Sequence, residues 1–319
     1  MIQPRFLPYL VLLGGVLIAA TSSIFIRFAQ ALETPSVVIT TWRLLFAMLI
    51  LTPFTWQKRH QELRTLKQSD LAWGAGAGLF LALHLATWIA SLEFTSVASS
   101  AALVTTNPLW VALAVWLFFG EKLSSQTIIG LLVAFTGSLL ITFSDAGVLI
   151  IDPTATQIIR FEWQNILAPV GKADTALFGD ALALFGAISI AIYFLVGRNL
   201  RKRISNTSYV WLVYSAAALV MLIVTVVTGH SLFGYSNQAY FWMLMLAVGP
   251  QLLGHTAFNW ALAHLSTTFV TLAILGEPIG SAILAYFLLG ETFAPMQLFG
   301  FTLLLGGIGL GVLGEQQPS

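Results

Sequence analysis

Residues 99–130 read SSAALVTTNPLWVALAVWLFFGEKLSSQTIIG, and residues 269–300 read FVTLAILGEPIGSAILAYFLLGETFAPMQLFG. At a fixed offset, the second stretch repeats a proline, a Gly-Glu pair and a glycine of the first, and one more glycine pair follows. The aligned pairs are Pro108 with Pro278, Gly120 with Gly290, Glu121 with Glu291, Gly130 with Gly300 and Gly137 with Gly307. Repetition at fixed spacing indicates copies of one structural unit. We therefore predict two copies, residues 1–144 and 178–319, joined by a loop at 145–177.

The composition indicates the environment of both copies. The chain has 319 residues, of which 58% are hydrophobic and 8% are charged, and its mean hydropathy is +0.88. A soluble domain carries about 25% charged residues. Because so little charge could not cover a surface in contact with water, we predict that most of the surface faces lipid.

Apolar stretches long enough to cross a bilayer recur along the chain. A helix needs about 20 mostly apolar residues to cross the hydrocarbon core. Such stretches lie near residues 9–30, 36–56, 70–92, 95–119, 126–144, 178–198, 208–229, 239–262, 266–289 and 296–314. Half of them fall in each copy, and an odd number per copy inverts the second copy relative to the first. The predicted fold is therefore an all-α membrane protein with ten transmembrane helices in two inverted five-helix repeats.

Lysine and arginine predict the orientation, because cytoplasmic segments of membrane proteins carry an excess of both. If the N-terminus is inside, the cytoplasmic side holds Arg5, Lys58, Arg59, Arg64, Lys67, Lys122, Arg198, Arg201, Lys202 and Arg203. The outside holds Arg160 and Lys172, both in the 145–177 loop, while Arg27 and Arg43 lie within spans. We therefore predict that both termini are cytoplasmic. We interpret the loop as an insertion between the copies, with a gating role as the alternative.

Several classes of function lack their signatures. A net charge of +1 offers no electrostatic footprint for nucleic acid. The chain has no cysteine, and its five histidines lack metal-ligand spacing, so we expect neither a metal nor another cofactor. No P-loop, HExxH or GxSxG motif occurs, so we expect no enzyme and no ATP-driven pump.

The ten-span pattern and the duplicated signature of proline, Gly-Glu and glycine resemble the EamA family of the drug/metabolite transporter superfamily. The resemblance covers nearly the whole chain outside the long loop. It implies export or exchange of small metabolites, often amino acids, through the cell inner membrane. Inverted repeats suit this activity, because rocking between two equivalent poses opens a central site to each side in turn.

Two charged residues inside spans are the first candidates for a substrate site. Glu277 follows a glycine in Leu-Gly-Glu-Pro, and a charge at mid-span costs at least about 2.5–3.5 kcal/mol, so intramembrane ionisable groups are commonly functional. We predict proton coupling or contact with a substrate amino group, with a neutral structural carboxylic acid as the alternative. Arg43 could bind a carboxylate or pair with Glu277. For Arg27, nearer a helix end, snorkelling is favoured.

Polar and aromatic stripes supply the other candidates. Residues four apart share a helix face, and a polar stripe in a membrane must point at protein or at a water-filled cavity. A proline in mid-span predicts a kinked helix that exposes backbone groups. The predicted lining is Arg43, His84, Trp88, Asn107, Tyr193, Trp211, Tyr214, Gln251, His255, Asn259 and Glu277, with helix kinks at Pro108 and Pro278. A purely structural role is the alternative for each. Glu121 and Glu291 are expected to cap turns or pair at the two faces.

The leading hypothesis is a secondary transporter of small metabolites such as amino acids, working by alternating access. A carrier of nucleotide sugars, sugar phosphates or drugs is the first alternative, although phosphate carriers concentrate cavity lysines and arginines that this chain lacks. An intramembrane enzyme and a receptor or scaffold subunit are further alternatives. The predicted partners are a small-molecule substrate, the lipid bilayer and protons, carried by His84, His255 or Glu277. A monomer and a homodimer both fit.

Overall fold

The computed structural model describes residues 6–120, 124–145, 149–151, 159–161, 172–197, 200, 203–261, 264–265, 273–274 and 276–315. Glu121, most of the predicted loop and residues 266–272 of the ninth predicted span lie outside them. Strands β1 (Leu149–Ile151) and β2 (Ile159–Phe161), in the predicted loop, pair antiparallel with Leu149 opposite Phe161. The other regular elements of the described residues are helical.

The helices follow the two predicted copies in order. The first copy contains α1 (Leu7–Ala20), α2 (Ser22–Gln30), α3 (Ser36–Arg64), α4 (Gln68–Ser91), α5 (Val97–Val104), α6 (Asn107–Phe119) and α7 (Ser125–Asp145). The second contains α8 (Lys172–Gly197), α9 (Asn206–Val227), α10 (Asn237–Leu246), a π-helical segment (Ala247–Gly254), α11 (His255–Ala261), α12 (Gly276–Leu289) and α13 (Pro295–Glu315).

Among the described residues, 8 helical stretches are long and apolar enough to cross a membrane. Three of these stretches join shorter helices: α1 with α2, α5 with α6, and α10 with the π-helical segment and α11. Two further helices, Gly276–Leu289 and Pro295–Gly311, are apolar but shorter. The predicted all-helical class is confirmed, whereas the count of ten spans and the two-repeat arrangement stay predictions.

Helix breaks replace the predicted kinks. The chain turns at Thr105 and Thr106 between α5 and α6, so Pro108 lies in the first turn of α6. A proline there loses no hydrogen bond, because the first amides of a helix have no partner within it. Pro278 likewise lies in the first turn of α12. Pro108 therefore begins a helix rather than bending a continuous one.

The closest helix contact joins α7 and α13 through glycines. A Cβ atom on Gly130 would lie 2.4 Å from the backbone nitrogen of Gly311, and one on Gly137 would lie 2.5 Å from that of Leu304. No side chain fits at such distances, so the two backbones touch directly. Small residues of this kind are how membrane helices associate without a hydrophobic driving force.

The outer surface of the bundle is apolar, as expected for contact with lipid. Leu17, Phe118 and Val227 are 57%, 80% and 79% exposed, respectively. The interior is formed where α4 packs on α8 and where α9 packs on α3 and α4. Several polar side chains are buried there, which brings most of the candidate residues into one region.

Candidate functional site

Arg43 is a buried cation whose hydrogen-bond partners are neutral. Its side chain, on α3, belongs to a residue only 2% exposed. Nε donates to Oε1 of Gln251 at 2.8 Å, and Nη1 donates to Oγ of Ser22 at 3.1 Å. The guanidinium carbon lies 5.7 Å from the centroid of the Trp88 ring. These contacts provide acceptors for two of the guanidinium donors and hold the group in place, but none of them supplies a negative charge.

Glu277 is the acid that acts on Arg43. The two groups attract each other electrostatically, yet these described residues form no direct ion pair. A buried charge without a contacting counter-charge is costly, because the low-polarity interior does not solvate it. Arg43 and Glu277 are therefore close enough to interact electrostatically, but they do not neutralise each other through a direct contact among the described residues.

Two histidines lie close to the same cation. Electrostatic interactions link Arg43 with His84 and with His255, and link the two histidines with each other. His255 keeps an exposed side chain, and His84 is partly accessible. Neither ring is therefore fully enclosed by the described part of the protein.

His84 has a defined tautomer. Its Nδ1 lies 2.9 Å from the backbone carbonyl of Gly186 on α8. Because a carbonyl only accepts, Nδ1 carries the proton in the neutral ring and Nε2 is left as an acceptor. The ring stacks on Trp88 at 5.9 Å with an interplanar angle of 18°. The helical spacing of four predicted this neighbouring pair correctly.

Trp88 presents an unused donor beside Arg43. The residue is 6% exposed, and its indole Nε1 is buried without a hydrogen-bond partner among the described residues. Tryptophan normally finds a partner for this group when it is buried. An indole N–H without a partner, next to a buried guanidinium, can donate a hydrogen bond to an anionic ligand.

Gln251 connects Arg43 to the opposite side of the cluster. It lies in the π-helical segment, where Pro250 interrupts the regular hydrogen-bond pattern, and it is 2% exposed. Its carbonyl oxygen accepts from Arg43, and its side chain is also hydrogen-bonded to the Tyr214 hydroxyl. Single π turns often occur at functional sites. We call Arg43, His84, Trp88, Tyr214, Gln251, His255 and Glu277 the central cluster.

The remaining predicted residues lie apart or at the edge. Tyr193 flanks the cluster through its electrostatic interaction with Tyr214. Trp211 donates from Nε1 to Oγ1 of Thr52 at 2.9 Å, so its polar group is used in joining α9 to α3. Asn107 begins α6, and no hydrogen bond joins its side chain to the central cluster among the described residues. The side chain of Asn259 falls outside the described residues.

Ser22 is the contact that sequence reasoning missed. It follows the break between α1 and α2 and accepts from Arg43. The signal was present as Thr-Ser-Ser at 21–23 in the middle of an otherwise apolar span. Three consecutive hydroxyl residues there indicate a position that faces protein.

A second polar cluster joins the ends of α2, α5 and α12. Both carboxylate oxygens of Glu291 accept from the backbone N–H of Val97, at 3.1 and 3.0 Å. Nη2 of Arg27 donates to Oε1 of Glu291 at 3.4 Å and to the carbonyl of Thr95 at 3.2 Å. The snorkelling expected of Arg27 stays a prediction, and its head group has Glu291 within reach as a counter-ion. The expected pairing of Glu291 is confirmed. We call this group the Arg27–Glu291 latch.

Comparison with known proteins gives a consistent result. The model of the EamA-like transporter family matches residues 6–143 and 177–313. An uncharacterized transporter of Archaeoglobus fulgidus is 25% identical over 300 residues, covering 93% of both chains. The uncharacterized transporter YetK of Bacillus subtilis is 23% identical, covering 98% of this chain and 94% of its own. A solved crystal structure has a TM-score of 0.63 at 15% identity and covers 98% of this chain and 99% of its own, a likeness in fold.

Proposed function

The chain belongs to the EamA-like transporter family, and from that premise we propose that it exports or exchanges amino acids or similar small metabolites by alternating access. It is a multi-pass membrane protein, and its relatives are named as transporters. The central cluster is the proposed binding site. The observation that carries the proposal is Arg43, which is buried with neutral hydrogen-bond partners and interacts electrostatically with Glu277 without a direct ion pair among the described residues.

A zwitterion is the ligand that complements this arrangement. Its carboxylate would accept from the Arg43 fork and from the unused Nε1 of Trp88. Its ammonium group would face Glu277. Both buried charges would then gain a partner at once, whereas a singly charged solute would leave one of them uncompensated. A phosphate-bearing substrate is favoured less, because Arg43 is the one cation of the cluster.

The proposed architecture is ten spans of the inner membrane in two inverted repeats, with both termini in the cytoplasm. Two observations support the duplication. The family model matches twice, once in each predicted copy. The glycines of α7 and α13 also contact each other reciprocally: Gly130 meets Gly307, and Gly137 meets Gly300. Alternating access follows from such a pair of related halves.

Glu277, His84 and His255 are the proposed proton carriers. Each is ionisable, lies in the central cluster and keeps some accessible surface. Nε2 of His84 is an acceptor once Nδ1 donates to Gly186. A proton taken up there or by Glu277 would change the charge that faces the substrate.

Transport can be tested by measuring uptake of a labelled amino-acid panel into proteoliposomes, with and without an imposed pH gradient. We expect saturable uptake whose initial rate falls about 100-fold in Glu277→Gln and His84→Ala, because each loses an interaction in a poorly solvated site. Glu33→Gln, at an exposed acid in the turn after α2, is the matched control and should be unaffected. Accumulation of substrate driven by the pH gradient would indicate proton coupling, whereas uptake that only equilibrates would indicate a facilitator.

If no amino acid is taken up, the amino-acid proposal is wrong. If sugar phosphates and drugs are not taken up either, the proposal of transport itself is contradicted.

In the proposed orientation, the Arg27–Glu291 latch closes the extracytoplasmic face. Replacing Glu291 with alanine removes the acceptor of the Val97 N–H at the start of α5 and the counter-ion of Arg27 together. Losing a hydrogen bond to a charged group costs about 1.5–3 kcal/mol, so we expect the extracytoplasmic face to open about ten times more often. The natural chain has no cysteine, so Ser99→Cys, at a buried position of α5, can report opening through its reaction rate with a membrane-impermeant maleimide. An unchanged rate in Glu291→Ala would show that the latch does not gate this face, and Glu33→Gln again serves as the control.

A further inference from the structure

A cavity of about 510 Å³ lies between α5, α6, α7 and α8, separate from the central cluster. None of the residues that line it belongs to that cluster. Its walls include Leu103 and Trp110 on one side, Leu132 and Phe135 on another, and Leu184 on the third. The cavity therefore needs an explanation of its own.

The cavity lies at the depth of the hydrocarbon core. All its walls belong to stretches able to cross a membrane, namely Val97–Phe118, Ser125–Ser144 and Thr175–Gly197. The α7 wall borders lipid, since Leu132 and Phe135 are 63% and 55% exposed. No bulk water reaches this depth on the lipid side. Whatever fills the cavity must therefore come from the bilayer.

The chemistry of the lining favours a hydrocarbon occupant. Most of the lining side chains are leucine, phenylalanine, tryptophan or alanine. Two of the polar groups are already used within the protein. The hydroxyl of Thr106 donates to the Leu103 carbonyl at 2.7 Å and accepts from Trp110, and Asp180 accepts from Thr95 at 2.7 Å. The Thr106 bonds stay within the turn between α5 and α6, and the Asp180 contact ties α8 to the chain just before α5.

The packing of α7 explains why the space exists. One face of α7 is held against α13 at backbone contact by Gly130 and Gly137. Such contact fixes the position of α7, because neither helix can shift without separating the backbones. The opposite face, with Leu131, Leu132 and Leu139, is left with an apolar gap toward α8.

We propose that this cavity binds one acyl chain of a membrane phospholipid. The volume lies within the range of about 300–1,000 Å³ that is typical of small-molecule sites. A helix from a second copy fits poorly, because a helix about 10–12 Å wide with a 5.4 Å pitch would place only about one turn in this volume. A flexible apolar chain can enter sideways from the bilayer and requires no hydrogen bonds. The inference rests on the fold and is independent of the proposed substrate.

Photolabelling tests the inference without any transport measurement. Proteoliposomes would contain a phospholipid with a diazirine in the middle of one acyl chain, and labelled peptides would be mapped by mass spectrometry. A bound chain buries most of its surface, so we expect label on the cavity walls of α7 and α8 to exceed that on lipid-facing α9 by about fivefold. Ala181→Phe, which fills the cavity, should abolish this excess. Leu139→Trp fills it from the opposite wall and guards against a folding defect of the first variant.

Ala75→Phe is the matched control, because Ala75 is exposed on α4 away from the cavity. It should leave the labelling excess unchanged. Even labelling of α7, α8 and α9 would overturn the inference, as would an excess that survives both filling variants in folded protein. Photocrosslinks from the cavity walls to a second copy of the chain would overturn it in favour of a dimer contact.

Discussion

Replacing Arg43 with lysine is expected to lower uptake of a carboxylate-bearing substrate by about 30- to 150-fold, from the loss of about 2–3 kcal/mol in charge-assisted hydrogen bonds. Lysine keeps the charge but lacks the planar fork that binds a carboxylate through two parallel bonds. It also cannot reproduce the present geometry, in which Nε is committed to Gln251 and Nη1 to Ser22. Orientation of the remaining donors toward a ligand depends on both contacts.

The measurement is the concentration dependence of uptake in proteoliposomes, compared at equal amounts of folded protein. Arg203→Lys is the matched control, since the Arg203 side chain is 49% exposed and pairs with Asp70 at the end of the bundle. Its uptake should stay within about twofold, because lysine keeps the positive charge that pairs with Asp70, outside the central cluster. Equal uptake by Arg43→Lys and the natural chain would contradict a substrate contact at Arg43.

Much of the central cluster could be predicted because polar groups are expensive inside a membrane. Arg43, Glu277 and His84 stood out in apolar spans, and the four-residue spacing of His84 and Trp88 gave their shared face. The cost of placing a polar group in the membrane does not tell which way a helix is rotated, however. Trp211 was therefore chosen as readily as Tyr214, although the structure commits it to Thr52.

Other features depend on packing that one sequence does not display. The π-helical segment places Gln251 between Arg43 and Tyr214. In the sequence, Gln251 is only one member of a regularly spaced polar stripe. The helix breaks at Thr105 and Thr106, before the proline, whereas Pro108 in the sequence suggests a simple kink. Arg27 has a counter-ion far away in the chain, because Glu291 follows α12 and also accepts from the Val97 N–H at the start of α5. Long-range partners of this kind follow only from the assembled bundle.

The contact between α7 and α13 makes a sharp prediction about stability. Gly307→Ala is expected to lower the free energy of unfolding by about 2–3 kcal/mol, the upper part of the usual range for overpacking a tight core. The new Cβ would lie 2.3 Å from the backbone nitrogen of Ala134 and 2.7 Å from the carbonyl oxygen of Gly130. Since both obstacles are backbone atoms, no side-chain rotation relieves the clash. Helices α7 and α13 must therefore move apart where their backbones touch.

The adjacent glycine supplies the control for this prediction. A Cβ atom on Gly306 would meet nothing within 4 Å, so Gly306→Ala should be neutral or stabilising by up to about 1 kcal/mol through the better helix propensity of alanine. Thermal unfolding in detergent, followed by tryptophan fluorescence, compares the two variants with the natural chain. A Tm lowered in Gly307→Ala but not in Gly306→Ala would confirm direct backbone contact. Equal Tm values in the two variants would show that α7 and α13 are further apart, and the cavity beside α7 would then lose the constraint that keeps it open.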